Sequence, residues 1–444
     1  MRSYFILAMC FLFLIQYFVG SQVLQYILAL FAAIAFLGSI TLARPTPRFF
    51  SILMFLAGII FTVLKGDGLE EVVQGITANL PLLTLLVLVP LLSIPLKMGG
   101  FFDSILLYLK HFQNHPRKLF MGITSVLFFL GPILNIGAIR IVHEFAQKLK
   151  LNSTFLSKAY LVGFSTTILW SPYYAAVAIT LLYLQVSITD YVPYGLGLGI
   201  LFLIIGNLMF SLWAGKQKLE PSEQQDEESF SPDHGKRIKV LAVIIFSLMT
   251  VTIIAEMITH WSMLVLVSFV AILFPLVWCL FSHQWKALRQ YLLDFRDQSV
   301  PIMNNEIIMY ISAGFFGQSL IGTSLGQGLS IFMIDLAQIS FLLFALFILV
   351  TMVIVTYMGI HQVVVVTVLA TQMDPILLGT TKEILAMVIM LAWATSSVLS
   401  PVNPVNLLVS TLVKRSSIQV GTRDNGWFLL SMCTIGIAIL TLFH

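Results

Sequence analysis

The stretch Thr395-Ser-Ser-Val-Leu-Ser400-Pro401-Val-Asn403-Pro404-Val-Asn406 lies in the middle of an apolar run that covers residues 383–413. A run of this length is long enough to cross a membrane as a helix. Its two prolines lack backbone N–H groups and interrupt that helix. In lipid, an interrupted backbone is tolerated only where it is buried in protein or lines a wet cavity. The stretch therefore predicts a broken membrane helix with polar side chains at the break.

The whole chain has the composition of an integral membrane protein. Of its 444 residues, 59% are hydrophobic and 10% are charged, whereas a soluble domain has about 45–50% apolar and about 25% charged residues. The apolar runs are about 20 residues long and do not alternate with period two, which excludes an outer-membrane barrel. The net charge of +4 is small, so nucleic acid is not an expected partner. The three cysteines lie in apolar runs without metal-ligand spacing, so we expect no metal site.

One apolar stretch has a length that suits neither one membrane crossing nor two. The stretch 119–147 is flanked by basic residues on both sides and contains Gly131-Pro132, which breaks a helix in its middle. The economical arrangement is a re-entrant hairpin with its tip near residues 131–137. The stretch 336–373, with Gly359 near its centre, predicts a second such hairpin. We therefore expect an all-α polytopic membrane protein with about eleven membrane-spanning helices and two re-entrant hairpins.

The distribution of basic residues orients the chain in the membrane. With the N-terminus in the cytoplasm, most Lys and Arg residues fall on the cytoplasmic side, while four predicted outer loops contain neither. These loops are 66–76, 187–191, 321–335 and 374–381. We therefore expect a multi-pass protein of the cell membrane, with its N-terminus in the cytoplasm and its C-terminus outside.

The two halves of the chain carry similar features in the same order. Counterparts 226 positions apart are Asn79 and Asn305, Gly100 and Gly326, and Asn135 and His361. Further along the chain the offset becomes 229, where Ser171-Pro172 pairs with Ser400-Pro401. Matching helices run in opposite directions, which predicts inverted repeats of five helices each, a 1+5+5 arrangement with interrupted helices at mid-membrane. The predicted units are an extra N-terminal helix (1–20), a first repeat (21–215) with a hairpin (119–147) and a broken helix (153–186), a cytoplasmic linker (216–237), and a second repeat (238–444) with a hairpin (336–373) and a broken helix (383–413).

The breaks and the hairpin tips hold the candidate binding residues. Carbonyls freed by proline, together with hydroxyl and amide oxygens, suit a dehydrated sodium ion, and the helix N-terminus after each break can face an anion. For one break alone, a proline kink whose serine bonds a nearby carbonyl is the simpler explanation; two breaks at equivalent points favour a binding site. The candidates for substrate or ion binding are Asn135, Gly137, Thr166, Thr167, Ser171, His361, Gln362, Thr395, Ser396, Ser400, Asn403 and Asn406.

Three ionisable residues are further candidates. His361, at the second predicted tip, is either a packing residue or the carrier of a coupling proton. Glu306, shortly after Pro301, is either interfacial or a carrier of a proton or cation. Arg140, on the exit arm of the first hairpin, either attracts an anion or extends its charged end to the cytoplasm. No cofactor is expected besides sodium or a proton as the coupling ion.

The motifs at the second break resemble those of a known family. The segment Pro401-Val-Asn403-Pro404-Val-Asn406-Leu-Leu is similar to the proline- and asparagine-containing string of the ion transporter superfamily, which includes divalent anion:sodium symporters, arsenite exporters and sodium/proton antiporters. Leu134-Asn135-Ile136-Gly137-Ala138 resembles the asparagine-bearing hairpin tip of these carriers. The first break, Pro172-Tyr173-Tyr174-Ala175-Ala176, differs in having no asparagine. The resemblance covers 77–215 and 301–444 and implies secondary active transport of a small solute, an organic or inorganic anion, coupled to sodium or protons by elevator-like alternating access.

Two classes of function remain open. The first is such a carrier, and the second is a non-carrier membrane protein, a lipid-linked envelope scaffold or an enzyme, that uses a transporter-like fold. The spans contain no recognisable nucleophile–base pair, metal-ligand set or nucleotide-binding loop, which favours a carrier over an enzyme. The expected partners are a small-molecule or ion substrate and the lipid bilayer, with a homodimer left open.

Overall fold

The computed structural model describes residues 2–149, 151–214 and 232–444. Within these ranges the regular elements are all helical, and none is a strand. Among the described residues, ten helices are long and apolar enough to cross a membrane, or up to eleven if the bent pair Asn304–Leu320 and Ser324–Ile339 counts as one span. The expected all-α polytopic membrane fold is confirmed. One of the ten, Pro116–Leu134, is a helix that the sequence analysis assigned to a hairpin.

The helices of the two described halves are as follows. The first half contains α1 (Arg2–Val19), α2 (Gln22–Ile40), α3 (Pro45–Lys65), α4 (Leu69–Thr77), α5 (Leu80–Leu88), α6 (Ser93–Met98), α7 (Phe101–Lys110), α8 (Pro116–Leu134), α9 (Gly137–Lys148), α10 (Ser153–Ile168), α11 (Ala175–Leu184) and α12 (Ile188–Ala214). The second half contains α13 (Pro232–Thr259), α14 (Met263–Ser282), α15 (Trp285–Asp294), α16 (Asn304–Leu320), α17 (Ser324–Ile339), α18 (Phe341–Tyr357), α19 (Gln362–Ala370), α20 (Lys382–Leu399), α21 (Pro404–Val413) and α22 (Gly426–Phe443). Of the predicted linker, 216–231 lies outside the described residues, and 232–237 is already helical.

Each predicted hairpin contains two helices that pack against each other. In the first, α8 ends at Leu134 and α9 begins at Gly137; in the second, α18 ends at Tyr357 and α19 begins at Gln362. Both helix breaks therefore lie where the sequence predicts the tips. That each pair enters and leaves the membrane on one side stays a prediction.

The start of the second helix pair differs from the prediction. The pair begins at Phe341, because residues 324–339 form the separate helix α17. The segment 321–335, predicted as an outer loop, is therefore mostly helical. Its polar residues resemble a loop in composition, but the Thr323 hydroxyl accepts a hydrogen bond from the Gly326 N–H and caps the helix, which meets α16 at 84°.

Both predicted broken helices are interrupted at their Ser-Pro steps. The first consists of α10 and α11 with residues 169–174 between them, and the second consists of α20 and α21 with residues 400–403 between them. The two broken helices also pack on each other: α10 contacts α20 and α21, and α11 contacts α20 and α19. The packing therefore brings the second helix pair and both broken helices into one interior region.

Polar contacts hold the end of the second broken helix against the start of the first. Arg415 forms an ion pair with Asp424, with 3.1 Å between Nη1 and Oδ1, and also donates to the Thr154 hydroxyl. Lys158 on α10 donates to the Asp424 carbonyl. Because Asp424 is buried, this connection holds the end of α21 in place relative to α10.

One aromatic ring joins three of the other helices. Phe315 of α16 is 2% exposed and lies against Gly58 of α3 and Gly75 of α4. A Cβ atom at Gly58 would lie 2.7 Å from the ring, and one at Gly75 would lie 2.8 Å from it. The absence of side chains at both glycines thus allows α16 to pack closely on α3 and α4.

Candidate functional site

Gln362 lies at the centre of the polar contacts at the second break. It is the first residue of α19 and is 2% exposed. Its side-chain nitrogen lies 2.8 Å from the Trp393 carbonyl and 3.0 Å from the Ser397 hydroxyl, and also bonds the Ser396 hydroxyl. The tip of the second helix pair is thus bonded to the last turns of α20.

Asn403 connects the same glutamine to the other side of the break. Its Oδ1 accepts a hydrogen bond from the Val405 N–H at 3.0 Å, which caps α21, and its Nδ2 donates to Gln362 Oε1 at 3.2 Å. Ser400 donates to the Thr356 carbonyl in the last turn of α18 at 3.0 Å. We call Gln362, Ser396, Ser397, Ser400 and Asn403 the second-break cluster.

The cluster consists of neutral oxygen and nitrogen atoms next to a backbone with missing hydrogen bonds. Pro401 has no N–H to donate to the carbonyl of Ser397, four residues earlier in the chain, whereas the Ser400 carbonyl accepts a hydrogen bond from the Asn403 N–H at 3.3 Å. Beside the cluster, the Asn406 Nδ2 donates to the Val398 carbonyl at 2.6 Å, while its buried Oδ1 has no partner among the described residues. Unwound carbonyls and amide oxygens of this kind coordinate sodium in transporters with broken helices.

Two helices begin at this cluster. His361 Nδ1 accepts a hydrogen bond from the Val363 N–H at 3.2 Å and caps α19, as Asn403 caps α21. The first turn of a helix carries free N–H groups and a partial positive charge, which favour an anion. The arrangement can therefore offer oxygen atoms to a cation and helix N-termini to an anion.

The first break differs in its side-chain contacts. Thr166 donates to the carbonyl of Val162 in its own helix at 2.8 Å. The Thr167 hydroxyl lies 2.8 Å from the Gly163 carbonyl of its own helix and 3.1 Å from the Leu127 carbonyl of α8. The Ser171 hydroxyl accepts from the Tyr173 N–H at 3.3 Å. These hydroxyls satisfy backbone groups, as expected if the first break is mainly a proline kink that is buried in the protein.

The first hairpin tip has an unusual backbone. Asn135 has φ +51°, a region that favours glycine, and its Oδ1 accepts a hydrogen bond from the next N–H, that of Ile136, at 2.8 Å. Gly137 is the first residue of α9, and Arg140 is exposed one turn later. Close by, Gly131 of α8 lies against Thr167 and Tyr174, since a Cβ atom there would approach them to 2.9 Å and 3.1 Å.

Two of the candidates lie apart from the second-break cluster. Thr395 donates to the Leu391 carbonyl at 2.7 Å and lies 3.3 Å from the Cys433 sulfur, so its hydroxyl faces α22. Glu306, in the first turn of α16, has a buried Oε2 without a partner among the described residues. One turn later on α16, the ring centre of Tyr310 lies 5.6 Å from that of His361.

Three members of the arrangement are not among the candidates. One is Ser397, whose hydroxyl lies 3.0 Å from the Gln362 side-chain nitrogen. The other two, Thr356 in the last turn of α18 and Trp393 on α20, contribute backbone carbonyls to Ser400 and Gln362. A backbone carbonyl is present in every residue, so neither position carries a signal in the sequence.

The comparisons with known proteins support the fold assignment. No family model and no curated protein matches the sequence. The fold is similar to that of the YdaH transporter of Alcanivorax borkumensis, at 13% identity and a TM-score of 0.61, covering 90% of this chain and 99% of that one. It is also similar to MtrF of Neisseria gonorrhoeae, described as one of a class of antimetabolite efflux pumps, at 14% identity and a TM-score of 0.59, covering 91% of this chain and 96% of that one. The chain therefore has the fold of two membrane transporters over nearly its whole length.

Proposed function

We propose that the chain is a secondary active transporter that moves a small organic or inorganic anion across the cell membrane. The observation that carries this proposal is the second-break cluster, in which Gln362 at a helix-pair tip is bonded to a broken helix through Ser396, Ser397 and Asn403. The shared fold with two transporters supports it. The resemblance of the motifs to the ion transporter superfamily agrees with it.

In this proposal the coupling ion and the anion use different atoms of one region. Sodium is held by the hydroxyl, amide and carbonyl oxygens around Ser400, Asn403 and Asn406. The anion lies at the N-termini of α19 and α21. If protons replace sodium as the coupling ion, His361 is the first candidate to carry them and Glu306 the second.

The proposed movement follows from the predicted repeats. The two helix pairs and the two broken helices move together against the remaining helices and alternate between inward-open and outward-open states. The N-terminus is cytoplasmic, the C-terminus is outside, and two copies can assemble as a homodimer. The first break serves this movement mainly as a packed kink, with Ser171 and Thr167 bonded to backbone.

Counterflow in proteoliposomes tests the proposal. Purified protein is first screened by thermal shift, with sodium chloride compared with potassium chloride and with a panel of carboxylates, sulfate and phosphate. Vesicles loaded with the best anion should then accumulate its labelled form, and more so with an inward sodium or proton gradient. Protein-free vesicles are the control. The absence of counterflow with every stabilising anion would favour the non-carrier alternative, a scaffold or an enzyme.

We predict that the second break matters more to the coupling ion than the first. Asn403→Ala and Ser400→Ala should each raise the apparent KM for the coupling ion about tenfold, since removing one ligand from a buried site costs about 1–3 kcal/mol. Ser171→Ala should change it by less than about threefold. Initial uptake rates over a range of ion concentrations measure this. Equal effects of the substitutions at the two breaks would indicate that both breaks are proline kinks and that neither binds the coupling ion.

A further inference from the structure

His361 has a hydrogen bond that settles which ring nitrogen lacks a proton. Its Nδ1 lies 3.2 Å from the backbone nitrogen of Val363, and a backbone N–H can only donate. Nδ1 is therefore the acceptor and carries no proton in this structure. The bond satisfies one of the free N–H groups in the first turn of α19.

The second broken helix has the same kind of cap with a different residue. Asn403 accepts from the N–H two residues later, as His361 does, and it also lies directly before the first residue of its helix. Asparagine is a common N-cap and does not titrate, whereas histidine changes its charge near neutral pH. The helix that begins at the tip of the second pair therefore has a cap that can titrate. An asparagine at the same position would give a cap that does not depend on pH.

The surroundings of His361 contain few groups that could compensate a positive charge. The ring centres of Tyr310 on α16 and Trp393 on α20 lie 5.6 Å and 6.1 Å from that of His361, both edge to face. Glu306 lies one turn before Tyr310 on α16. The start of α3 also packs on this tip, since a Cβ atom at Gly359 would lie 2.7 Å from the Thr46 side chain. In the described part of the chain, no hydrogen bond, ion pair or ring contact joins His361 to the other titratable or charged groups around the tip, which are Arg44 and Arg48 at the start of α3, Tyr183 on α11, Asp335 on α17, Tyr357 on α18, Lys382 and Glu383 on α20, and Cys433 on α22.

We infer that His361 is a proton-binding site whose occupancy and the cap of α19 exclude each other. A proton from water that binds Nδ1 removes the acceptor of the Val363 N–H, so this hydrogen bond is lost. The new positive charge then lies at the positive end of the helix, which is unfavourable. The first turn of α19 loosens, and with it Gln362, the centre of the second-break cluster. The loss of the cap does not depend on transport, but its use as a coupling step rests on the proposed function.

Hydrogen exchange with two variants tests this inference. His361→Asn keeps a cap that does not titrate, and His361→Ala removes the cap at every pH. Amide exchange of peptides covering residues 358–366 is followed by mass spectrometry from about pH 8 to about pH 4. Since the chemical rate of amide exchange itself depends on pH, His361→Asn is measured at each pH as the reference. In the native protein, protection of these amides should fall about fivefold more than in His361→Asn as the pH decreases, the effect expected from losing one N-cap. His361→Ala should show the reduced protection at about pH 8 already.

Two results would overturn the inference. One is the same pH response in the native protein and His361→Asn, and the other is equal protection of His361→Ala and the native protein at about pH 8. Proton entry into vesicles, followed with a trapped pH-sensitive dye, distinguishes a failure of this inference from a failure of the proposed function. If the exchange result holds but proton entry is unchanged in His361→Asn, His361 is a pH-sensitive cap and the coupling proton is carried elsewhere.

Discussion

Replacing Gln362 with methionine is expected to reduce uptake at least about a hundredfold. Methionine has a similar length but cannot hydrogen bond, so the Ser397 hydroxyl and the Asn403 side-chain nitrogen lose the partner that they have in the described part of the chain. Each buried group left without a partner costs about 1–3 kcal/mol, and every 1.4 kcal/mol is about tenfold in an equilibrium constant. Two such groups suffice for the expected loss. Initial uptake rates in proteoliposomes measure it.

The same exchange at a second glutamine is the matched control. Gln372 follows α19, is 9% exposed, and donates to its neighbour Thr371 at 3.2 Å, away from the break. Gln372→Met should keep uptake within about threefold of the native protein, since only one local bond is lost. Melting temperatures of both variants separate a loss of folding from a loss of transport. Equal loss of uptake at Gln362 and Gln372, at equal melting temperature, would remove the second-break cluster from the transport site.

The second large effect is expected at Phe315, on stability. Phe315→Ala should lower the free energy of unfolding by about 3–5 kcal/mol, because it removes a buried ring and leaves a cavity among three helices. The ring is enclosed by α3, α4 and its own helix, with Gly58 and Gly75 in direct contact. Glycine has no side chain with which to fill the space. Thermal or denaturant unfolding in detergent measures the change.

The neighbouring Phe316 is the control for this variant. It is only partly buried, and its ring lies 6.2 Å from that of Phe61, so Phe316→Ala should cost clearly less. Gly75→Ala should itself cost about 1–3 kcal/mol by overpacking against the ring. The same change should be nearly neutral in Phe315→Ala protein, since the ring is absent. Additive effects of the two substitutions would show that Phe315 does not occupy the space at Gly75.

The membrane class of the fold and the positions of its breaks could be predicted from the sequence. Long apolar runs have to form spanning helices, because lipid cannot hydrogen bond a free backbone. Proline removes a donor wherever it occurs, and the helices are interrupted at Ser171-Pro172 and Ser400-Pro401 as predicted. Pro132 does not break its helix: α8 continues through it to Leu134. Both effects are local in the chain, and the structure places breaks at both steps.

The boundary at residues 321–335 shows where prediction from the sequence failed. A polar segment without Lys or Arg was interpreted as an outer loop, yet α17 occupies most of it. Charge distribution indicates the side of the membrane and does not distinguish a loop from a capped polar helix. The hydroxyl of Thr323, which caps this helix, was the local signal that could have shown it.

Only the tertiary structure decided which candidates meet. Gln362 reaches Ser396 and Asn403 because α19 packs beside the second break, and no spacing in the sequence encodes that approach. Thr395 belongs to the same motif as Ser396, but the two side chains point about 100° apart around the helix, so Thr395 faces Cys433 instead. The carbonyls of Thr356 and Trp393 take part through their position alone. Local chemistry thus identified the two Ser-Pro steps at which the backbone breaks, whereas the packing and rotation of whole helices determined which atoms surround each break.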